Sequence, residues 1–442
     1  MPSYLLASVP IHGHVNPLLP IAAHLVARGD SVRFLTGARF ARRVSATGAT
    51  HVPLPPASDF DDRSLVLDVR AELSPAAAIA YDMEHVFIRP AEGQYAAVQD
   101  LIDGEPVDAI IVDPTFAAGA LLVETPADQR PPVLVAGVLP LGLPSRGLAP
   151  FGLGLPPMAG PIGWLRNRAL GLVTERVFRR PEQVGAELMR RTLGRAPSGP
   201  VLTWMSRADA VLQLSVPSFE YPRPDSPTRL EFTGMVTSSS ALDHPYPSWW
   251  SDLDGGRPVV HVTQGTIAND DLTDLVLPTV RALADVDVLV VVATGGRPVA
   301  ELGELPGNAR AAEFLPYADL FARTDVFVTN GGYGGVQFAL AHGVPVVVAP
   351  GKEDKVEVAA RVAWSGAGRN LRRQRPDAAR IRRAVEEVLS RPEFRTATSR
   401  IAAEMAAAPG AAGFAAVVDD IVAGRRPDRP VTGAPRAQRR VA

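Results

Sequence analysis

The chain of 442 residues contains no cysteine, so disulfide bonds and thiolate metal sites are excluded. No apolar stretch approaches the ~20 residues that a transmembrane helix requires. The first ten residues contain no basic region, and their apolar run is too short for a secretion signal. These absences predict a cytoplasmic protein without a membrane span.

No charge of one sign dominates, because 45 lysines and arginines face 47 acidic residues, for a net charge of -2. General nucleic-acid binding requires clustered positive charge, so no nucleic-acid partner is expected. A hydrophobic content of 46% with 21% charged residues is typical of a folded protein. The length predicts two or three domains.

Several motifs of other enzyme classes are also missing. The chain has no Gly-x-Ser-x-Gly, no Walker A lysine loop and no group of histidines with metal-ligand spacing. Asp285 and Asp287 have the spacing of a metal-binding Asp-x-Asp, but they precede a strand, and a helix-to-strand turn explains them. Neither a metal nor a bound cofactor is therefore expected.

Short apolar runs alternate with helical segments in both halves of the chain, which predicts parallel-sheet α/β domains. Residues 216–257 are rich in proline, serine and aspartate and indicate a domain boundary. The apolar, proline- and glycine-rich loop 139–163 either lines a binding pocket or packs on its own domain. The predicted organisation is one α/β domain at 1–220, a linker at 221–257, a second α/β domain at 258–405, a helix at 406–423 and a disordered tail at 424–442.

The most informative stretch is Val326 to Lys355, in which a strand, a glycine-rich turn, a helix and a second strand follow one another. In such units a ligand binds outside the carboxyl ends of the strands, and amides at the start of the helix can hold a diphosphate. The alternative is that Gly331 to Gly335 only form tight turns.

This stretch resembles the nucleotide-sugar signature of family 1 glycosyltransferases, the GT-B enzymes that include antibiotic-type transferases. The matching residues are Gly332, Gly334, Ala339, Leu340, Gly343, Pro345, Pro350 and Asp354. Four positions depart from the family pattern: Asn330 replaces a phosphate-binding His, Gly335 a Ser or Thr, Phe338 a ribose-binding Glu, and Lys355 a sugar-binding Gln.

The resemblance implies a GT-B fold, in which two Rossmann-like parallel-sheet domains face each other across a cleft. The domain at 1–220 would then bind the acceptor, in a pocket that the loop 139–163 could line, and the domain at 258–405 would bind the nucleotide sugar. The helix at 406–423 would cross back onto the first domain. It also implies a UDP- or dTDP-sugar as co-substrate. Thr266 matches the phosphate-contacting Ser or Thr, and Leu315 lies in a segment whose backbone reads the nucleobase. The expected donor-binding residues are Thr266, Leu315, Asn330, Gly332, Gly334, Gly335, Glu353 and Asp354.

Catalysis is expected to depend on His14 and Asp113. Gly-His-x-Asn-Pro at residues 13–17 resembles the family segment that carries the catalytic base, and imidazole suits that task near neutral pH. Asp113 follows a predicted strand and could hold the other nitrogen of His14. Without the resemblance, His14 would more often be a surface or capping residue, and Asp113 the start of an Asp-Pro turn.

The resulting hypothesis is an inverting, metal-independent transferase that moves a hexose from a UDP- or dTDP-sugar to a hydroxyl of a small lipophilic natural product. A monomer or homodimer is expected. A GT-B epimerase or hydrolase shares the fold but does not need the apolar loop 139–163. A non-catalytic nucleotide-binding protein fits Asn330 and Phe338, yet gives no reason for His14 together with Asp113.

Overall fold

The computed structural model describes residues 1–62, 73–236, 244–266, 269–351 and 354–424. The chain divides into two compact units, and each contains two or more separate stretches of sequence. The first unit comprises Met1–Pro150, Pro157–Val236 and Ala408–Ala442. The second comprises Phe151–Pro156 and Thr237–Ala407.

The first unit is built on a seven-stranded parallel sheet of order β3-β2-β1-β4-β5-β6-β7. Its central strands consist mainly of buried valine, isoleucine, leucine and alanine, because helices cover both faces of a parallel sheet. The strands are β1 (Ser3–Ala7), β2 (Ser31–Thr36), β3 (Thr50–Pro53), β4 (Ala109–Val112), β5 (Val133–Gly137), β6 (Ala210–Gln213) and β7 (Arg229–Phe232).

Helices of the first unit connect these strands and cover the sheet. A π-helical segment, Met83–Ile88, continues directly from the third of them. The α-helices are α1 (His12–Ala27), α2 (Ala41–Ser45), α3 (Pro75–Asp82), α4 (Ala91–Gly104), α5 (Ala118–Leu122), α6 (Gly160–Val177) and α7 (Arg179–Leu193).

The second unit contains a six-stranded parallel sheet of order β10-β9-β8-β11-β12-β13. Its strands are β8 (Val259–Thr263), β9 (Leu289–Ala293), β10 (Ala309–Ala312), β11 (Val326–Thr329), β12 (Val346–Val348) and β13 (Gly368–Asn370). Its α-helices are α8 (Val276–Ala282), α9 (Tyr317–Phe321), α10 (Tyr333–Ala341), α11 (Lys355–Trp364), α12 (Ala378–Ser390) and α13 (Pro392–Ala407).

The last helix, α14 (Gly410–Val422), belongs to the first unit. Phe414 is fully buried in the same core cluster as Leu25 of α1. At the polar edge of this contact, Tyr4 donates its hydroxyl to Asp419 over 2.9 Å, and the Arg28 guanidinium lies 2.6 Å from the same carboxylate. Apolar burial, bordered by these polar contacts, therefore holds α14 on the first unit.

The predicted fold class, two parallel-sheet α/β domains, is confirmed. The linker assigned to 221–257 begins too early, because β7 pairs with β6 and the first unit extends to Val236. The segment Phe151–Pro156, placed in the first domain from sequence, is part of the second unit. Most of the predicted disordered tail, 425–442, lies outside the described residues.

Within the described ranges, no single helix is long and apolar enough to cross a membrane. The pair α13 and α14, separated by a bend, meets the same criteria of length and composition only when both helices are counted together.

Replacing Phe414 with alanine is expected to destabilise the first unit by ~3–5 kcal/mol, because a fully buried aromatic ring leaves a cavity. Hydrogen–deuterium exchange should speed up in β1 and β2, while β8 to β13 keep their protection. Val422→Ala, in the same helix at an exposed position, is the control and should stay within ~0.5 kcal/mol of the wild type. Equal loss of protection in both sheets would contradict the assignment of α14 to the first unit.

Candidate functional site

The first sheet reverses its strand order between β1 and β4, which lie side by side at its centre. Loops that leave the carboxyl ends of two such strands run in opposite directions and open a crevice. His14 lies just after β1, in the first turn of α1, and Asp113 directly follows β4. The sheet therefore brings together two side chains that are 99 positions apart in the sequence.

His14 and Asp113 are hydrogen-bonded, with Nδ1 of the imidazole 3.0 Å from Oδ1 of the carboxylate. Asp113 is fully buried and also accepts hydrogen bonds from two backbone amides and a hydroxyl. The Val9 amide donates to Oδ2 over 2.8 Å, and the hydroxyl and amide of Thr115 donate to Oδ1 over 2.6 and 2.8 Å. The carboxylate is thus fixed from both loops.

Burial alone would raise the pKa of the Asp113 carboxyl. The charge of His14 and the hydrogen bonds from His14, Thr115 and Val9 outweigh burial and hold that pKa below its ordinary value. An ionised carboxylate only accepts hydrogen bonds, so Nδ1 of His14 carries the proton. In the neutral form of the imidazole, Nε2 then carries the lone pair, and this is the atom that can take a proton from a bound substrate.

His12 has a separate carboxylate partner. Its Nδ1 lies 3.1 Å from both oxygens of Asp62, and its amide donates to the same carboxylate over 2.8 Å. Arg39 also contacts Asp62 at 2.7 Å, and the His12 ring packs edge-on against Phe40. These contacts secure the start of α1, so His12 and His14 belong to two distinct pairs.

Thr115 and Asp62 were not singled out from the sequence. The sequence pattern could have indicated Thr115, because a hydroxyl residue two positions after an aspartate at a strand end commonly forms a hydrogen bond with that aspartate. Asp62 had no such signal, since it lies 50 positions from His12, with α1, β2, α2 and β3 between them.

The second sheet reverses its order between β8 and β11, and several of the expected donor residues lie in the loops that follow these two strands. Thr266 is exposed in the loop after β8, and Asn330 begins the loop after β11. The Asn330 side-chain amide donates to the Gln264 carbonyl over 2.6 Å, and the Gly351 amide donates to the Asn330 carbonyl over 3.0 Å. Asn330 therefore ties together the loops that follow β8, β11 and β12.

The glycine turn after β11 leaves the start of α10 open. Gly331 has a φ of 93°, which disfavours a side chain, and Gly332 is the N-cap of the helix. Among the described residues, no side chain caps α10, and no heavy atom lies within 4 Å of the position that a Cβ on Gly332 or Gly334 would take. A ligand can therefore approach the backbone amides here, which favour an anion. Gly335, in the first turn, has only ring atoms of Phe327 nearby, at 3.9 Å.

Lys355 lies beside this turn. A Cβ on Gly331 would be 3.4 Å from Cβ of Lys355, and one on Gly351 would be 2.9 Å from its Cδ. Asp354 is half-buried at the N-cap of α11, immediately before Lys355. Glu353, which completes the predicted donor set, lies outside the described residues.

Two other residues that the sequence analysis discussed, Leu315 and Phe338, have side chains packed against their neighbours. The Leu315 side chain is buried in a small cluster with Leu253, Val259 and Leu289, so it can contribute to a ligand site through its backbone. The Phe338 ring packs with Phe321 and His342 at centroid distances of 5.3 and 4.6 Å. Phe338 thus contributes to an aromatic cluster at the position where the family has a ribose-binding Glu.

Glu357 is a site residue that the sequence did not reveal. Its Oε1 accepts the amides of Gly152 and Gly154 over 2.8 and 2.9 Å, and its Oε2 lies 2.8 Å from the fully buried guanidinium of Arg361. The spacing of Glu357 and Arg361 suggests an ion pair within a helix, but nothing local indicates the distant amides. Through them Glu357 holds Phe151–Pro156, in which Phe151 and Leu153 are exposed.

The rest of the loop 139–163 has different surroundings from residues 151–156. Leu141 and Leu143 are buried in the core of the first unit, and Arg223 donates to both of their carbonyls. The packing alternative for the loop 139–163 therefore holds for its first part. Residues 151–156 carry exposed apolar side chains, and the acceptor pocket stays a prediction.

Acidic residues with metal-like spacing have other partners. Asp285 lies 2.7 Å from the Arg382 guanidinium, as expected for a turn residue. In the part of the chain that the structure describes, no group of three or more histidine, aspartate or glutamate side chains is arranged to hold a metal ion.

Comparison with known proteins identifies the family. The chain is 44% identical over 407 residues to 4'-demethylrebeccamycin synthase of Lentzea aerocolonigenes, which covers 91% of this chain and 95% of that protein. The chain belongs to the antibiotic-type GT-B glycosyltransferases. It is also 34% identical over 439 residues to UDP-glycosyltransferase 2 of Phaeomoniella chlamydospora, covering 96% of both chains.

Other comparisons agree with this membership. Residues 278–423 match the family of erythromycin biosynthesis protein CIII-like C-terminal domains. The crystal structure of the glycotransferase of kitacinnamycin matches with a TM-score of 0.70 and 25% identity, over 96% of this chain and 100% of that one. CalG4, the calicheamicin glycosyltransferase, has the same fold, with a TM-score of 0.70, 24% identity and coverage of 96% and 99%. This glycosyltransferase therefore has the GT-B fold that its sequence predicted.

One histidine of the second unit makes the stability of the glycosyltransferase sensitive to acid. His261 of β8 is fully buried against Phe327 and Tyr317, and its ring nitrogens contact the Val291 carbonyl and the Tyr317 hydroxyl. Burial lowers the pKa of His261 from 6.5 to about 4. Burial also raises the pKa of the Tyr317 hydroxyl, to about 12.

Because the folded state disfavours the protonated ring, the unfolded chain binds that proton first as the pH falls below about 6.5. The free energy of unfolding should therefore drop by about 3 kcal/mol from this group between pH 7 and pH 4. Urea titrations of the wild type and of His261→Phe at each pH measure the free energy of unfolding. The variant should lack the part of the drop that His261 contributes. The same pH dependence in wild type and variant would contradict a neutral, buried His261.

Proposed function

We propose that this glycosyltransferase is an inverting enzyme that transfers a hexose from a UDP- or dTDP-sugar to a small lipophilic acceptor, with His14 as the base. The observation that carries the proposal is the buried hydrogen bond between His14 and Asp113 at the switch point of the first sheet. It orients one imidazole nitrogen and leaves the other available for a proton.

In the proposed reaction, an acceptor hydroxyl attacks the anomeric carbon of the sugar while the bond to the diphosphate oxygen breaks. Nε2 of His14 takes the hydroxyl proton, and Asp113 stabilises the imidazolium that forms. The attack comes from the face opposite the leaving group, so the anomeric configuration inverts. Thr115 and Val9 keep the carboxylate in place throughout.

The donor is proposed to bind at the loops that follow β8, β11 and β12. Open amides at the start of α10 and the exposed Thr266 hydroxyl suit the diphosphate. Asn330 is engaged in tying the loops, so Lys355, whose side chain lies beside Gly331 and Gly351, is proposed to supply the positive charge. These groups could stabilise the leaving diphosphate without a metal ion. UDP appears in the names of several relatives and is the first donor to test.

The acceptor is proposed to be apolar. Phe151 and Leu153 are exposed, although they lie in a segment held by two hydrogen bonds to a buried carboxylate. Fixed apolar side chains of this kind suit a lipophilic ligand, since their burial by that ligand is favourable.

His14→Ala is expected to lower kcat by ~10²–10⁴ while donor affinity changes little, because the variant lacks only the positioned base. Asp113→Asn should also lose rate through a misoriented imidazole. The double variant should be barely slower than His14→Ala, since the two residues act as a unit. Initial rates with one active acceptor, and calorimetry with the donor, measure these effects.

His12→Ala is the matched control for the base, because His12 is a neighbouring histidine with its own carboxylate partner. It should retain far more activity than His14→Ala. An inactive His12 variant beside an active His14 variant would transfer the base to His12, and full activity in both would exclude a histidine base.

The donor assignment predicts different effects for two neighbouring residues. Asp354→Ala should weaken binding of UDP-sugar by ~1–3 kcal/mol but leave UDP nearly unchanged, because a carboxylate hydrogen-bonds sugar hydroxyls. Lys355→Gln should weaken both ligands, because an ammonium acts on the diphosphate they share. Titration calorimetry with each ligand distinguishes the two. Equal losses for UDP and UDP-sugar in Asp354→Ala would show that Asp354 does not contact the sugar.

A further inference from the structure

Helix α6 has its apolar and polar faces reversed relative to an ordinary surface helix. The buried positions of its first turns are Gly163 and Asn167, whereas isoleucine, leucine and valine face outwards. A helix on a soluble core normally turns its apolar stripe inwards. The arrangement of α6 therefore requires an explanation beyond the fold of the first unit.

The inward face of α6 is adapted to close contact with the preceding loop. A Cβ on Gly163 would lie 2.0 Å from the Met158 carbonyl oxygen, so only glycine fits there. Asn167 donates its side-chain amide to the Arg146 carbonyl over 3.3 Å. These contacts determine which side of the helix faces the unit, and they leave the large apolar residues outside.

The outward face presents a continuous apolar stripe. Ile162, Leu165, Leu172 and Val173 have exposed fractions of 79%, 63%, 60% and 61%. Their spacing places them on one side of the helix, over a length of ~16 Å. Contiguous exposed apolar surface of this kind marks an interaction site.

Positive charge borders the stripe. The segment from Gly160 to Arg180 contains one acidic residue, Glu175, against five arginines: Arg166, Arg168, Arg176, Arg179 and Arg180. Arg168, Arg176 and Arg179 are exposed, and none of them forms an ion pair with another described residue. The Arg168 guanidinium lies 5.9 Å from the centroid of the half-exposed Trp164 ring. The chain as a whole carries a net charge of -2, so this excess is local.

We propose that the outward face of α6 docks on an anionic lipid bilayer. Leucine, isoleucine and valine side chains of the stripe would enter the boundary between headgroups and acyl chains, while the arginines bind anionic headgroups. Helices that combine an apolar stripe with flanking arginines bind membrane surfaces in this way.

The charge and the shape of the surface favour a bilayer over other occupants. A symmetric dimer would bring the same arginines of two copies together, and like charges across an interface are unfavourable. A small molecule binds in a concave site, whereas the outer face of a helix is convex. A bilayer has anionic headgroups and a deformable apolar interior, so it complements both the arginines and the apolar stripe of α6.

Vesicle co-sedimentation of the full chain tests the proposal. The wild type should bind vesicles of equal parts phosphatidylcholine and phosphatidylglycerol, and bind pure phosphatidylcholine much more weakly. Leu165→Gln with Leu172→Gln should lower the partition coefficient roughly tenfold or more, because two leucines no longer enter the bilayer. Arg168→Gln and Arg176→Gln should each lower it roughly fivefold on the anionic vesicles.

Two control variants carry the same substitutions elsewhere in the first unit. Val422→Gln replaces an exposed apolar residue of α14, and Arg190→Gln replaces an exposed arginine of α7. Both should bind like the wild type, and circular dichroism checks that every variant is folded. The proposal is overturned if the wild type does not bind anionic vesicles, if it binds neutral vesicles equally well, or if the α6 variants bind unchanged. Dimerisation without lipid that the Leu165→Gln, Leu172→Gln variant abolishes would assign the surface to a second copy instead.

Discussion

Parallel hydrogen bonding of β1 to β4, and of β8 to β11, is the interaction on which both candidate sites depend. At each of these pairs the strand order reverses, so the following loops diverge and leave the carboxyl ends of the strands open. The first sheet places His14 beside Asp113 in this way, and the second places Asn330 beside Gln264. The same rule of chain topology thus positions the residues proposed for proton transfer in one unit and those proposed for anion binding in the other.

Buried carboxylates then stabilise what the topology brings together. Asp113 accepts from an imidazole, a hydroxyl and two backbone amides, and Glu357 accepts two amides beside a buried guanidinium. Removing such a carboxylate would leave several buried donors unsatisfied, which costs more than the hydrogen bonds themselves contribute. Each carboxylate therefore holds in place the loops that donate hydrogen bonds to it.

Departures from ordinary sequence rules occur at the two surfaces of this glycosyltransferase that are proposed to bind other molecules. The glycine turn lacks a side-chain cap for α10, and α6 exposes apolar residues that would ordinarily be buried. Local and global preferences usually agree in a folded protein, and they conflict mainly at functional surfaces. Phe338 is different, because its departure from the family pattern is compensated by aromatic packing with Phe321 and His342.

The sequence by itself determined the parallel-sheet fold and the glycine turn after β11, because periodicity and turn chemistry are local properties. His14 and Asp113 were singled out as a pair through the resemblance to family 1 glycosyltransferases. Only the tertiary structure decided that Asp62 pairs with His12, that Glu357 holds Gly152 and Gly154, and that β7 extends the first sheet. It also decided that the apolar face of α6 is exposed. These features join residues far apart in the chain, and a side chain's partner or exposure depends on which elements pack over it.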